Sequence, residues 1–177
     1  MDQRAVCRSS VLALVLLVLQ SCESQHRPTT DPIVHTTRGS DTGPAVLRSA
    51  LESFGIPVTD YEQLARECRT DESGTSIDDL EDVANRRGLR ATQLIMPVLD
   101  LLSSPRSLPA IGIVGSPPQL DFWLIWRRER DGVVVMNPRA GLQRIPIEEL
   151  ARRLYVHEMG ESAGRIRGTV FLTLEAR

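Results

Sequence analysis

Hydrophobic and polar positions alternate with different periods along the chain, and each change of period marks an element. Val11 to Leu19 is uninterruptedly apolar, a run too short to cross a bilayer comfortably as a helix. From Glu23 to about Ser40 polar residues dominate, Pro28 and Pro32 interrupt them, and no apolar period is found. From Asp41 onward the period becomes helical. Val46, Leu47, Ala50, Leu51 and Phe54 share one face of a predicted helix that starts around Gly43-Pro44 and stops at Gly55. Thr59 and Glu62 have the spacing of a capping box and open a second helix carrying Leu64 and Cys68. Ser76, with Asp79 three residues on, opens a third, whose apolar face is Ile77, Leu80, Val83 and Ala84 and whose end is Gly88.

Beyond Gly88 the runs shorten and read as strands: Leu89 to Ile95, Ala110 to Val114, Phe122 to Arg127, Val133 to Met136 and Thr169 to Leu174, separated by Pro and Gly. A helix from Ile147 to Leu154 interrupts them, and Gly160 to Gly168 reads as an exposed loop. Helices first and strands later predict an α+β fold with a helical half packed on an antiparallel sheet. Trp123 and Trp126 fall on opposite faces of one strand, one expected in the core and one lining a groove.

The apolar run gains meaning from its flanks. Arg4 and Arg8 precede it, and it ends at Leu19-Gln20-Ser21-Cys22, which resembles the lipobox of bacterial lipoproteins. The resemblance implies a signal peptide over residues 1–21, lipidation of Cys22, a tether over 22–40 and a folded domain over 41–177. Fully extended, the tether would reach up to about 60 Å. Glu23, rather than aspartate, follows the cysteine, so the expected address is the bacterial cell envelope with the outer membrane favoured. Cys7 then leaves with the signal and Cys22 carries lipid. Cys68 remains, at helical spacing with Leu64, and is read as a small buried hydrophobe.

Composition narrows the chemistry. The 177 residues are 41% hydrophobic and 25% charged, with a formal net charge of -2, so nucleic-acid binding through a basic surface is not expected. All 21 basic residues are arginine. A phosphate-loop lysine, a Schiff base and a Ser-Lys dyad are therefore excluded. His26 and His35 lie in the tether and His157 late in the domain, too scattered for a metal site, and no cofactor is expected.

Seven segments resemble, in order, those of the double-glycine leader (bacteriocin-processing) peptidases, cysteine peptidases of papain-like fold. Asp41-Thr42-Gly43-Pro44-Ala45-Val46-Leu47 is similar to their Asp-Cys-Gly-Pro-Ala-x-Leu opening. Phe54-Gly55-Ile56, Gly74-Thr75-Ser76 and Ala84 to Leu89 follow. Leu108-Pro109-Ala110-Ile111 and Leu120 to Ile125 resemble their Leu-Pro-Ala-Ile and His-Phe-Val-Val strands, and Asn137-Pro138-Arg139-Ala140-Gly141 their Asp-Pro-x-x-Gly turn. The resemblance implies a papain-like fold and a peptide partner, possibly of Gly-Gly leader type.

Residue by residue, the resemblance places the nucleophile at Thr42, the general base at Asp121, the residue orienting that base at Asn137 and the oxyanion donor near Thr36. Such a peptidase needs a thiolate, an imidazole, a carboxylate and a side-chain amide, and none of the four residue types stands at its position. The expectation is a membrane-tethered domain without peptidase activity that binds peptides or a protein in a cleft lined by Thr42, Gly43, Asp121, Phe122 and Asn137. Asp121, as an anion, is expected to favour ligands with basic groups; a hydrogen bond between Asp121 and Thr42 across a closed seam is the competing arrangement. Two other classes stay open: an active peptidase using Thr42 or an unaligned nucleophile, and a structural envelope protein with a vestigial cleft.

Overall fold

The computed structural model describes Pro32, His35 and residues 41–104, 106–159 and 166–177. The expected signal, Cys22, His26, Thr36 and most of the expected loop before the last strand lie outside the described residues.

Helix α1 (Thr42–Ser53) follows from its apolar spacing: Val46, Leu47, Ala50 and Leu51 are fully buried. Pro44 is in its first turn, where a missing N–H costs no intrahelical bond. The helix closes as Phe54 N–H donates to Ala50 O and Leu51 O, and Gly55 follows at φ 78. Helix α2 (Tyr61–Glu67) is capped by Asp60, whose Oδ1 accepts from Gln63 N–H at 2.9 Å. The expected Thr59–Glu62 box is therefore displaced by one residue, because Asp60 is an equally good cap and also has a Glx residue three positions on. Helix α3 (Ile77–Arg86) begins as expected: Ser76 Oγ accepts from Asp79 N–H at 3.0 Å and donates to Asp79 Oδ2 at 2.6 Å.

The second half runs β1 (Leu89–Met96), α4 (Val98–Ser103), β2 (Ala110–Ser116), β3 (Gln119–Glu129), β4 (Gly132–Asn137), β5 (Gly141–Ile145), α5 (Ile147–Arg153), β6 (His157–Met159) and β7 (Ile166–Ala176). The strands are antiparallel in the order β1-β7-β2-β3-β4-β5, with β6 on β7. All five expected strands are present. The short elements α4, β5 and β6 were not anticipated, and β7 takes up the last residues of the expected loop, from Ile166.

Two cores lie on the two sides of this sheet. On one, α1, α2 and α3 bury Leu47, Leu51, Leu64 and Leu80 against Phe122, Leu124 and Trp126 of β3 and Leu172 and Leu174 of β7. On the other, α4 and α5 bury Leu101, Leu102 and Leu150 against Trp123 and Ile125 of β3 and Phe171 of β7. An antiparallel sheet with one wet face would alternate apolar and polar residues; β3 does not, because both of its faces are covered. Both tryptophans are core residues, 5% and 6% exposed, so neither takes the expected groove-lining role; Arg153 stacks over Trp123 at 5.3 Å.

Gly43 sets how closely α1 approaches the α2–α3 connection: a Cβ there would lie 3.0 Å from Thr75 Cβ. In an unobstructed first turn, Gly43→Ala would raise stability by about 0.4–1 kcal/mol by restricting the unfolded chain. Against Thr75 the sign reverses, and denaturant unfolding is expected to show a loss of about 1–3 kcal/mol that shrinks when Thr75→Gly is combined with it.

Candidate functional site

Thr42 is the first residue of α1 and is 2% exposed. Its Oγ1 accepts a hydrogen bond from Phe122 N–H at 3.3 Å, joining the start of α1 to the start of the buried run in β3. The chain that precedes each partner, Asp41 on one side and Asp121 on the other, is thereby brought to the same end of the sheet. Gly43 is beside Thr75, and Phe122 is 7% exposed within the helical core.

Asp121 does not bond to Thr42. Its two oxygens accept from Arg139, Nε to Oδ2 and Nη2 to Oδ1, both at 2.8 Å. The guanidinium is half-exposed, so this fork is worth about 1 kcal/mol or less to the fold, yet it decides the local charge. The expectation that Asp121 acts as an anion selecting basic ligands loses its basis, because Arg139 already occupies both oxygens. The Asp121 bond holds the Arg139 guanidinium above its ordinary pKa against the opposing effect of burial, and the charges of Asp121 and Asp41 add to that.

Asn137 ends β4 and turns the chain toward β5. Its Oδ1 accepts from Arg139 N–H at 2.8 Å, while Ala140 N–H donates to Asn137 O at 3.1 Å. This is an Asx turn followed by Gly141 at φ 84, which explains the Asn-Pro-x-x-Gly spacing: the side chain closes the turn and the glycine leaves it through a left-handed conformation. Asn137 thus positions the residue that pairs with Asp121.

A second polar chain braces the α1 side. Tyr61 Oη donates to Asp41 Oδ2 at 2.5 Å, and Arg48 lies 5.9 Å from the centre of the Tyr61 ring. Burial, then the bond to the Asp41 carboxylate, push the phenol well above its ordinary pKa. Arg48 Nε donates to Glu52 Oε1 at 2.9 Å, and Glu52 Oε2 pairs with His35 Nε2 at 2.6 Å. Burial acts to raise the Glu52 carboxyl, but the His35 and Arg48 bonds outweigh it and hold the carboxyl below its usual range. His35 N–H also donates to Ser49 Oγ at 3.3 Å, and Pro32 is buried. These two residues of the expected tether therefore pack on the domain.

Among the expected site residues, Thr42, Gly43, Asp121, Phe122 and Asn137 are brought together, and Thr36 is outside the described residues. Arg139, at a variable position of its turn motif, Tyr61 and the His35–Glu52 pair are contributions the motifs did not indicate, and Asp41, the first residue of the opening motif, was assigned no role by it. Cys68 is fully buried, and burial followed by the neighbouring Glu67 charge pushes its thiol up to about 12, so it packs as a hydrophobe. His157 is exposed on β6. Among the described residues no group of three or more His, Cys, Asp or Glu is placed to hold a metal ion.

Residues 30–155 match the Peptidase C39 family, well over half of the chain, and the protein belongs to that family. Solved structures show the same fold. A double glycine motif protease from an AMS/PCAT transporter, crystallised in complex with the leader peptide, superposes with a TM-score of 0.69 at 17% identity over 85% of this chain and 95% of its own. The peptidase domain of Streptococcus ComA, a bifunctional ABC transporter of a quorum-sensing pathway, gives 0.65 at 17% identity, over 80% and 97%. The peptidase C39 like domain of a toxin secretion ATP-binding protein from Vibrio parahaemolyticus gives 0.58 at 17%, over 77% and 98%. An uncharacterized protein of Methanothermobacter thermautotrophicus (strain ATCC 29096 / DSM 1053 / JCM 10044 / NBRC 100330 / Delta H) is 41% identical over 69 residues, 39% of this chain and about half (48%) of that protein. The expected α+β, papain-like peptidase fold is the fold found.

Proposed function

We propose that this C39 domain is catalytically silent, binds a peptide along its cleft, and is held to a bacterial envelope membrane by lipid on Cys22. The observation that carries the reading is the state of Thr42 and Asp121. A hydroxyl nucleophile must give its proton to a base. The bond made by Thr42 Oγ1 among the described residues is one it accepts, from Phe122 N–H. Asp121, at the position of the base, is a weaker base than imidazole and is already forked onto Arg139. Asn137, which would orient that base, is committed to its own turn.

Loss of the reagents does not remove a groove, because peptide affinity comes from backbone bonds and side-chain pockets rather than from the attacking atom. An apolar row supports that part of the reading. Ile95 pairs with Val170 and Ile113 with Phe122; continuing the β2–β7 register by one residue sets Ile113 beside Val170. Directly opposed residues share a face, so the row runs across β1, β7, β2 and β3 on the helical side and ends at Phe122, beside Thr42. Ile95 is 38% exposed, whereas Phe122 is closed off at 7%, so the row opens with distance from the site. A protease of this fold binds a leader peptide, and a leader-type peptide with apolar side chains is the partner we assign to the row. Leu19 to Cys22 supports the anchor, and Glu23 favours the outer membrane.

Two measurements test the two parts. Titration of a synthetic double-glycine leader peptide should show binding by the native protein, weakened about ten-fold or more by Ile95→Asp, with the thermal unfolding midpoint kept and with Leu99→Asp, on the opposite side of the sheet, as a neutral control. Equal affinity in the Ile95→Asp variant removes the row from the account. Intact-mass analysis of protein from membranes should find an acylated N-terminal Cys22, and Cys22→Ala should abolish both the acyl mass and stable membrane retention. An unmodified mature N-terminus refutes the anchor.

A further inference from the structure

We infer that the edge of β1 at Gln93 and Ile95 takes an extended peptide as an added strand, one that carries arginine or lysine with an apolar residue two positions from it. The inference rests on the peptide-binding reading above for the nature of the ligand, and it specifies how the peptide's main chain is held at the outer end of the apolar row.

β1 ends the sheet path and pairs with β7 on one side only. The N–H and C=O of one residue in an antiparallel strand point to the same side, and successive residues alternate. Asn85 of α3 shows which residues of β1 face outward. Its Nδ2 donates to Ala91 O at 3.2 Å and its Oδ1 accepts from Ala91 N–H at 3.1 Å, so a side-chain amide stands where a neighbouring strand would. Thr92 faces the other way, and its carbonyl accepts from Thr173 Oγ1 of β7 at 3.0 Å. By the same alternation the N–H and C=O of Gln93 and Ile95 point away from β7. Among the described residues, none hydrogen-bonds to these outward groups. Pro97 holds the next outward position and has no N–H to offer. Natural sheets blunt their edges with such devices; here Asn85 plugs the edge on one side and Pro97 closes it on the other, and Gln93 and Ile95 lie between them.

The neighbouring side chains decide which peptide fits. Gln93 and Ile95 share the helical face of β1 with the buried Leu89 and Ala91. Gln93 Nε2 donates to Asp78 Oδ1 at 2.6 Å and to Glu81 Oε2 at 2.7 Å, both on α3. These two carboxylates share a neutral amide, and among the described residues neither is in an ion pair. A residue of an added strand directly opposite Gln93 would share its face, with Cβ atoms about 5 Å apart. It would stand beside both anions, where a guanidinium or ammonium is favoured and a carboxylate repelled. The residue opposite Ile95, which is 38% exposed, is two positions along the peptide on the same face, and an apolar side chain there covers the isoleucine. Main-chain bonds then supply affinity, and these two side chains supply selection.

Amide exchange followed by nuclear magnetic resonance on the full-length chain reads the edge directly. The probes are two capped peptides of opposite sequence, Thr-Arg-Thr-Val-Thr and Thr-Val-Thr-Arg-Thr, which offer both strand directions, and twins with glutamate in place of arginine. At millimolar peptide, exchange of the Gln93 and Ile95 amides is expected to slow about ten-fold or more with one of the arginine peptides, while Ala91, already bound by Asn85, changes little. Asp78→Asn combined with Glu81→Gln should weaken that peptide about five-fold, and the glutamate twin should bind the native protein more weakly by at least as much.

Gln93 and Ile95 amides already protected in the free protein would mean that another part of the chain covers the edge, and would overturn the inference. Failure of both arginine peptides to bind, binding without new protection at these amides, or an affinity indifferent to charge on the peptide and on α3 overturns it as well. A double-glycine leader peptide that binds through Ile95 and leaves these amides unprotected keeps the peptide-binding reading and removes the added strand. Protection by an arginine peptide in a protein without leader-peptide affinity does the reverse, so the two fail separately.

Discussion

Five consecutive large apolar side chains, Phe122 to Trp126, leave β3 no face to give to water. Phe122, Leu124 and Trp126 point to the core under α1, α2 and α3, and Trp123 and Ile125 to the core under α4 and α5. Each set must be covered, so the strand dictates helices on both sides of an antiparallel sheet. Coverage on one side brings the start of α1 to the start of the buried run. Thr42 therefore meets Phe122, a residue 80 positions away, and Asp41, Asp121 and Arg139 are gathered around that contact. The site is a by-product of burying β3, and for that reason its geometry can persist whatever residue stands at position 42.

The framework positions of this chain have structural reasons of their own. Gly43 is held by the proximity of Thr75, Pro44 by the first turn of α1, and Asn137 and Gly141 by the turn between β4 and β5. Each has a physical reason to be where it is that does not involve catalysis. Thr42 and Asp121 are different: both have found partners, one in a backbone N–H and the other in an arginine, that satisfy them as structural groups. A buried hydroxyl and a carboxylate without such partners would each cost stability, so the two bonds give both groups a structural role, which is the basis of the proposed silence of the site.

Legibility in the sequence followed the length and regularity of each element. Helices α1 and α3 could be read because apolar residues recur at helical spacing and because Ser76–Asp79 is an unambiguous cap. Helix α2 was placed one residue early, since Thr59 and Asp60 are adjacent and both can cap. The five long strands were readable from β-branched and aromatic runs, but the two-sided burial of β3 was not, because a continuous apolar run does not say which layer covers which face. Elements α4 and β6 are too short to carry a period, and β5 keeps Leu142 exposed at 41%. At the site, Thr42, Asp121 and Asn137 were found by alignment of motifs. Arg139 was not, because it fills a variable position of its turn and only the fold brings it to Asp121. His35 gave no signal either, being a lone residue in a polar tract whose partner, Glu52, is on the far side of α1's first turns.

The central claim is that Thr42, with a hydroxyl bonded to Phe122 and Asp121 engaged by Arg139, performs no acyl transfer. Prolonged incubation of the unmodified full-length protein with a double-glycine leader peptide, followed by mass spectrometry of the peptide, tests it most directly. The account predicts that the peptide is recovered intact. Cleavage by the native protein that disappears in Thr42→Ala would contradict it.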